Sequence, residues 1–218
     1  MSQSLYNLFL GMSILAWILV YVLMIRRGFI DKSYGMPVTA LCFNLAWEFY
    51  FTFLGNFPMT SRIGNGLFFV LDLGVFYTCL RFGKDDFDWP IFKRNFFTFI
   101  ALMIPVSFVM IRTYVTAFHD YGMLVTLYAQ LLYSTLLPAM LIRRDSVKGQ
   151  SFYIGLFILI GDTCGFLIAP ATQRLSQPDA PLVWITVCNA YIFLAHVFYL
   201  ALYCHVAGRD GVNIWKRF

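Results

Sequence analysis

Residues 5–25 read LYNLFLGMSILAWILVYVLMI, and the next two residues are Arg26 and Arg27. A run this long without a charge, closed by a basic pair, matches the roughly 20 apolar residues a helix needs to cross the hydrocarbon core. No basic residue precedes the run and no small-residue cleavage site falls before Arg26, so it reads as a first span and not as a cleaved signal. The same reading applied along the chain gives six more spans, at about 36–55, 63–82, 96–115, 121–142, 152–171 and 181–206. The segments between them are short and rich in Gly, Pro, Asp, Lys and Arg. The expected fold is all-α, an integral membrane bundle of seven transmembrane helices forming one domain over residues 1–218.

Composition agrees with this. Of 218 residues, 60% are hydrophobic and 12% charged, about half the charged share of a soluble domain, too little to cover a water-facing exterior. The lipid bilayer is therefore the outer solvent. The net charge of +5 points to membrane orientation and not to nucleic acid, because the basic residues sit in short loops beside apolar runs. The five cysteines lie within or at the ends of those runs without metal-ligand or CxxC spacing, and read as small packing residues.

Lys and Arg also set the orientation. One set of segments holds Arg26, Arg27, Lys32, Arg81, Lys84, Lys93, Arg94, Arg143, Arg144, Lys148, Arg209, Lys216 and Arg217. The other holds only Arg62, Arg112 and Arg174. Thirteen against three, alternating loop by loop, requires an odd number of spans and places the N-terminus outside and the C-terminus in the cytoplasm.

An ionisable group near the centre of a span costs roughly 2.5–3.5 kcal/mol on insertion scales and needs a partner or a purpose. Glu48, Asp72, Asp162 and His196 are such groups, with Arg112 near the outer end of the fourth span. Threading the helices places Glu48 and Asp162 in the outer half, Asp72 near mid-depth, His196 deeper and Asn189 outward of it. In the second span, Asn44, Trp47, Glu48 and Phe51 follow i, i+3, i+4, i+7 spacing and share a face. A carboxylic acid among an amide, an indole and apolar groups keeps its proton, because desolvation disfavours the charged form. Glu48 is thus a candidate proton donor, the alternative being a neutral hydrogen-bonding glue between helices. Asp72 reads equally as a second acid or a structural hydrogen bond. Asp162 lies between Gly161 and Gly165, where close helix approach favours a structural role. His196 is a satisfied core residue or a catalyst. Arg112 either snorkels to the interface or pairs with Asp120 or a cavity acid, while His119 and His205 sit at helix ends. Aromatic residues, 19% of the chain, serve either as lipid-facing bulk or as a cavity wall whose π faces steady a cation.

Several chemistries drop out. Every lysine lies outside the spans, so no retinal Schiff base forms. Asp85-Asp86-Phe87-Asp88 lacks DDxxD spacing and reads as a solvated turn, not a magnesium site, and HExxH, GxSxG and P-loop motifs are missing. No metal or cofactor is implied.

The segment Tyr34-Gly35-Met36 followed by Leu41-Cys42-Phe43-Asn44-Leu45-Ala46-Trp47-Glu48 resembles the second-helix signature of the small seven-helix membrane-bound terpene cyclases, of the fungal paxilline and meroterpenoid type. The resemblance extends to length, span number and the Ser146-Val147-Lys148-Gly149-Gln150-Ser151 loop before the sixth span. It implies a metal-independent, proton-initiated cyclisation of a prenyl or epoxyprenyl chain, with Glu48 as the acid. The substrate is a hydrophobic prenylated small molecule, carrying an aromatic or polyketide group in some relatives. One departure stands out. Relatives carry a second acid in the last helix, but residues 181–206 contain no Asp or Glu, and His196 falls at that place. Either His196 takes the final proton or orients the acid, or Asp72 or Asp162 has taken over. Asn44, Trp47, Phe51, Arg112, Asp162 and Asn189 are the expected substrate-contacting residues, with Glu48, Asp72 and His196 the catalytic set. The competing readings are a proton-coupled carrier relaying protons through its intramembrane carboxylates, a seven-helix sensor, and a lipid hydrolase. The membrane is the endoplasmic reticulum in a fungal source and the plasma membrane in a bacterial one. Oligomeric state is not encoded in any of these features.

Overall fold

The computed structural model describes residues 1–120, 122–176 and 182–218, with the side chains of 173–176 also outside the description. The side chain of Arg174, counted on the sparsely charged side, and the first residues of the fifth and last expected spans, 121 and 181, therefore lie outside the description. Seven long helices are present among the described residues: α1 (Gln3–Asp31), α2 (Val38–Phe49), α3 (Met59–Phe82), α4 (Pro90–Ala117), α5 (Met123–Arg144), α6 (Phe152–Ser176) and α7 (Leu182–Arg209). Six of them are long and apolar enough to cross a membrane. The exception is α2, whose twelve residues continue into a five-residue π-helical turn, Tyr50–Leu54. At 1.5 Å per residue this helix reaches about 25 Å, short of the ~30 Å hydrocarbon core.

Its brevity fits its position. Nine residues of α2 are buried, including Leu41, Cys42, Asn44 and Glu48, and it packs against α3, α4 and α5. Neighbour relations close a ring in the order α1, α6, α7, α5, α2, α3 and back to α1, with α4 laid outside against α2. The other helices show one buried stripe and one lipid-facing side. On α7 the stripe is Ile185, Asn189, Ile192, His196, Tyr199, Tyr203 and Val206, stepping by three and four residues, while Val187, Leu194 and Phe198 on the opposite side are exposed.

Polar chemistry ties the basic ends together. Asp31 accepts from Arg27, from Arg217 and from the Gly149 backbone N–H at 2.8 Å. Asp86 is not the solvated turn residue expected: Arg143 and Arg144 grip its carboxylate at 2.8 and 2.6 Å, and Arg144 also donates to the Tyr34 carbonyl. Asp85 pairs with Lys93 at 2.9 Å. At the opposite end, Asp120 does not serve Arg112. Its carboxylate accepts from the backbone N–H groups of Leu124 and Val125 at 3.0 and 2.8 Å, capping the positive end of α5.

The two short motifs 34–36 and 146–151 pack against each other. Gln150 donates to the Gly35 carbonyl and accepts from Tyr199 at 2.6 Å. Gly149 has φ +72°, and a Cβ there would stand 2.5 Å from the Tyr34 carbonyl oxygen. Gly149→Ala therefore meets both a left-handed backbone, costing about 1–2 kcal/mol, and a backbone clash. Its thermal unfolding temperature in detergent should fall well below that of Gly208→Ala, where a Cβ meets nothing within 4 Å. Equal temperatures for the two variants would show that the 34–36 and 146–151 contact is not as tight as described.

Candidate active site

A cavity of about 190 Å³ opens inside the ring. Ser13, Ile14, Trp17 and Tyr21 of α1 line it, with Asn44, Trp47 and Glu48 of α2, Asn65 and Phe68 of α3, and Thr126, Ala129, Gln130 and Tyr133 of α5. Glu48 lies ten residues from the start of α2, Asp72 ten from the end of α3, Asp162 ten from the start of α6 and Tyr21 ten from the end of α1. At 1.5 Å per residue each is about 15 Å from the basic end, half the hydrocarbon thickness. The sequence had staggered these groups in depth. The observed helix ends bring the acids to one level, and α7 runs on to Arg209, so His196 reaches Asp162 directly.

Glu48 is 2% exposed, and its Oε2 has no hydrogen-bond partner in the protein. The Trp47 indole N–H and the Tyr133 hydroxyl are likewise buried without a partner. Three lining residues thus present unsatisfied polar atoms, each costing about 1–3 kcal/mol unless something completes it. Asp72 stands behind the lining, fully buried, with no hydrogen bond of normal geometry to either oxygen. Electrostatic coupling links it to Glu48, and both acids to Tyr21. Asn44 spends its amide on the Tyr21 hydroxyl at 3.1 Å and the Met36 sulfur at 3.8 Å, fixing Tyr21 beside the two acids.

The remaining expected residues lie elsewhere. Phe51 does not line the cavity. It still meets Trp47 edge-on at 6.2 Å, but it stacks on Phe57 at 4.3 Å beyond the cavity edge. Asp162 and His196 are outside the lining and pair with each other at 2.7 Å. Asn189 is buried and donates to its own helix at Ile185 O, 2.8 Å away. Arg112 is exposed, on the helix that lies outside the ring.

Eight lining residues with evident chemistry were not among the candidates read from the sequence: Ser13, Trp17, Tyr21, Asn65, Phe68, Thr126, Gln130 and Tyr133. A signal for most of them existed. Ser13, Trp17 and Tyr21 step by four along α1, and Thr126, Gln130 and Tyr133 step by four and three along α5. The arrangement sets an acid among Trp17, Tyr21, Trp47, Phe68 and Tyr133, whose rings can each steady a desolvated cation by about 2 kcal/mol. Five aromatic residues around one acid suit an apolar substrate that passes through a positively charged state.

Fold and cavity together define a polytopic helical membrane protein built around a buried, incompletely hydrogen-bonded carboxyl group. A sequence profile of Pyr4-like transmembrane terpene cyclases matches residues 1–209, and the chain belongs to that family. It is 31% identical over 185 residues to the Pyr4-family terpene cyclase mfmH of Annulohypoxylon moriforme, covering 83% of this chain and 76% of that protein. Identity to terpene cyclase penB of Penicillium crustosum is 29% over 224 residues, covering 98% and 86%. For terpene cyclase paxB of Penicillium paxilli it is 28% over 163 residues, covering 71% and 65%. No solved structure matches the chain.

The unpaired hydroxyl of Tyr133 makes a stability prediction. Tyr133→Phe removes a buried group that has no protein partner, and should leave the unfolding temperature in detergent unchanged or slightly higher. Tyr199→Phe strands Gln150 Oε1 and should lower stability by about 1–3 kcal/mol. An equal drop in both would mean that Tyr133 is hydrogen-bonded in the resting protein.

Proposed function

We propose that this terpene cyclase works by proton-initiated, metal-independent cyclisation of a prenyl or epoxyprenyl chain, with Glu48 as the general acid. The observation that carries this reading is Glu48 itself, facing an aromatic-lined cavity with one oxygen left without a partner in the protein. A carboxyl group in such surroundings retains its proton, and a substrate oxygen or alkene entering the cavity completes its missing hydrogen bond.

The steps balance without a further reagent. Glu48 gives its proton to the epoxide oxygen, the C–O bond breaks, and an internal alkene forms the new C–C bond at the carbon released. Each cation so produced rests against the aromatic wall, sheltered from water. The last cation loses a proton, which returns to the Glu48–Asp72 pair, and the product is an isomer of the substrate. Asp72 suits this better than His196, because Asp72 is coupled to Glu48 whereas His196 is engaged with Asp162. Glu48 and Asp72 are the proposed acid–base pair, and Asn44 and Trp47 the proposed contacts from α2. The whole chain acts as one seven-helix unit with its N-terminus outside and its C-terminus in the cytoplasm. Supporting this orientation, Arg27, Arg143, Arg144, Arg209 and Arg217 gather at one end. The fungal origin of the relatives favours the endoplasmic reticulum membrane.

Purified protein given a terminally epoxidised farnesyl aryl ether should yield a cyclised product of unchanged mass, with full activity in EDTA. Glu48→Gln should lower turnover by about 10²–10⁴, the range for removing a general acid. Activity in Glu48→Gln equal to that of the unmodified protein would overturn the acid assignment. Loss of activity in EDTA would overturn metal independence.

A further inference from the structure

Two residues of the cavity wall are held from behind by one carboxyl group. Asp162 Oδ1 accepts from the Trp17 indole N–H at 3.2 Å and from the Gln130 amide at 3.0 Å. Its Oδ2 meets His196 Nε2 at 2.7 Å. The indole N–H and the amide NH₂ can only donate, so Oδ1 is an acceptor to both, and any proton in the group is confined to the Oδ2–Nε2 contact. The three partners come from α1, α5 and α7, and Asp162 itself from α6. A single side chain therefore ties four helices of the ring together. Close by, Ser13 donates to the Gly161 carbonyl at 2.9 Å, and a Cβ at Gly161 would stand 2.9 Å from the Trp17 ring. The indole is pinned both by its N–H and by the backbone beneath it. Its ring lies 6.2 Å from Tyr21 and 5.7 Å from Tyr133, so fixing Trp17 fixes a three-ring wall.

We infer that Asp162 is a positioning residue for the cyclisation, locking Trp17 and Gln130 on the cavity wall and setting a hydrogen-bond acceptor behind it. The inference rests on the cyclase reading above. Asp162 does not line the cavity and touches no reacting atom; it acts through the indole. A cation drawn to the indole face is drawn further by the acceptor behind it. The shape of this wall decides how the prenyl chain coils before its bonds form, so the lock governs which product forms as well as how fast.

The test is the product ratio from the epoxidised farnesyl aryl ether, compared in the unmodified protein, Asp162→Ala, Asp162→Asn and Trp17→Phe. Asp162→Ala should move the ratio from fully cyclised toward prematurely terminated products by about tenfold or more, with kcat affected more than KM. Asp162→Asn keeps an acceptor for Trp17 and Gln130 and should restore the ratio, while kcat stays low because an NH₂ replaces the Oδ2 that meets His196. Trp17→Phe keeps an aromatic ring without the N–H and should shift the ratio in the same direction. In the double variant with Asp162→Ala the two shifts should not add. If Asp162→Ala does not accumulate as folded protein, Trp17→Phe and Asp162→Asn carry the comparison. An unchanged ratio in Trp17→Phe, or additive shifts, would overturn the positioning role. All ratios are read with Glu48 intact, so a failure of the acid assignment in Glu48→Gln would be seen separately.

Discussion

A carboxyl group buried in a membrane bundle with one oxygen unpaired is the constraint around which this molecule is organised. Leaving such a group unsatisfied costs about 1–3 kcal/mol, and a charge there costs more. Glu48 sits on the shortest helix, which is walled by α3, α4 and α5 and so kept from lipid on most sides. Where α2 does not pack, it faces the cavity. Glu48, Trp47 and Tyr133 each have a buried polar atom without a partner in the protein, and all three line the cavity.

Behind that incomplete lining stands a layer that is nearly complete. Asp162 uses both oxygens on three partners, Asn44 holds Tyr21, and Gln150 bridges Gly35 and Tyr199. Two polar populations therefore share the interior. Asp162, Asn44 and Gln150 fix helices to one another, while Glu48, Trp47 and Tyr133 line the cavity without a protein partner; other unpartnered buried groups, among them Ser33, Thr52, Tyr203 and the His196 Nδ1, lie away from it. Asp72 is buried behind the wall, next to Tyr21 and within electrostatic reach of Glu48.

Much of this was legible in the sequence. The spans follow from apolar runs long enough to cross lipid, and the 44, 47 and 48 face follows from helical spacing. Both depend on local periodicity, which a sequence carries directly. Phe51 keeps its helical neighbour Trp47 but packs against Phe57 and not on the cavity, a contact with a loop residue that helical spacing does not encode. Asp162 and His196 were recognised as anomalous, but their pairing joins residues 34 apart on different helices, and no spacing encodes that. Asp86 looked solvated because its arginine partners lie 57 and 58 residues away. The contributions of α1 and α5 carried helical spacing too, but serine, threonine and tyrosine in a span lack the cost that makes a buried acid conspicuous.

The central claim is that Glu48 carries a proton into the reaction. Infrared difference spectroscopy of the resting protein at neutral pH, comparing the unmodified chain with Glu48→Gln, addresses it directly. The account predicts a protonated-carboxyl C=O band that is present in the unmodified protein, absent in the variant, and shifted when an unreactive prenyl ether fills the cavity. A difference spectrum containing only carboxylate bands would show that Glu48 is ionised at rest and would contradict its role as the acid.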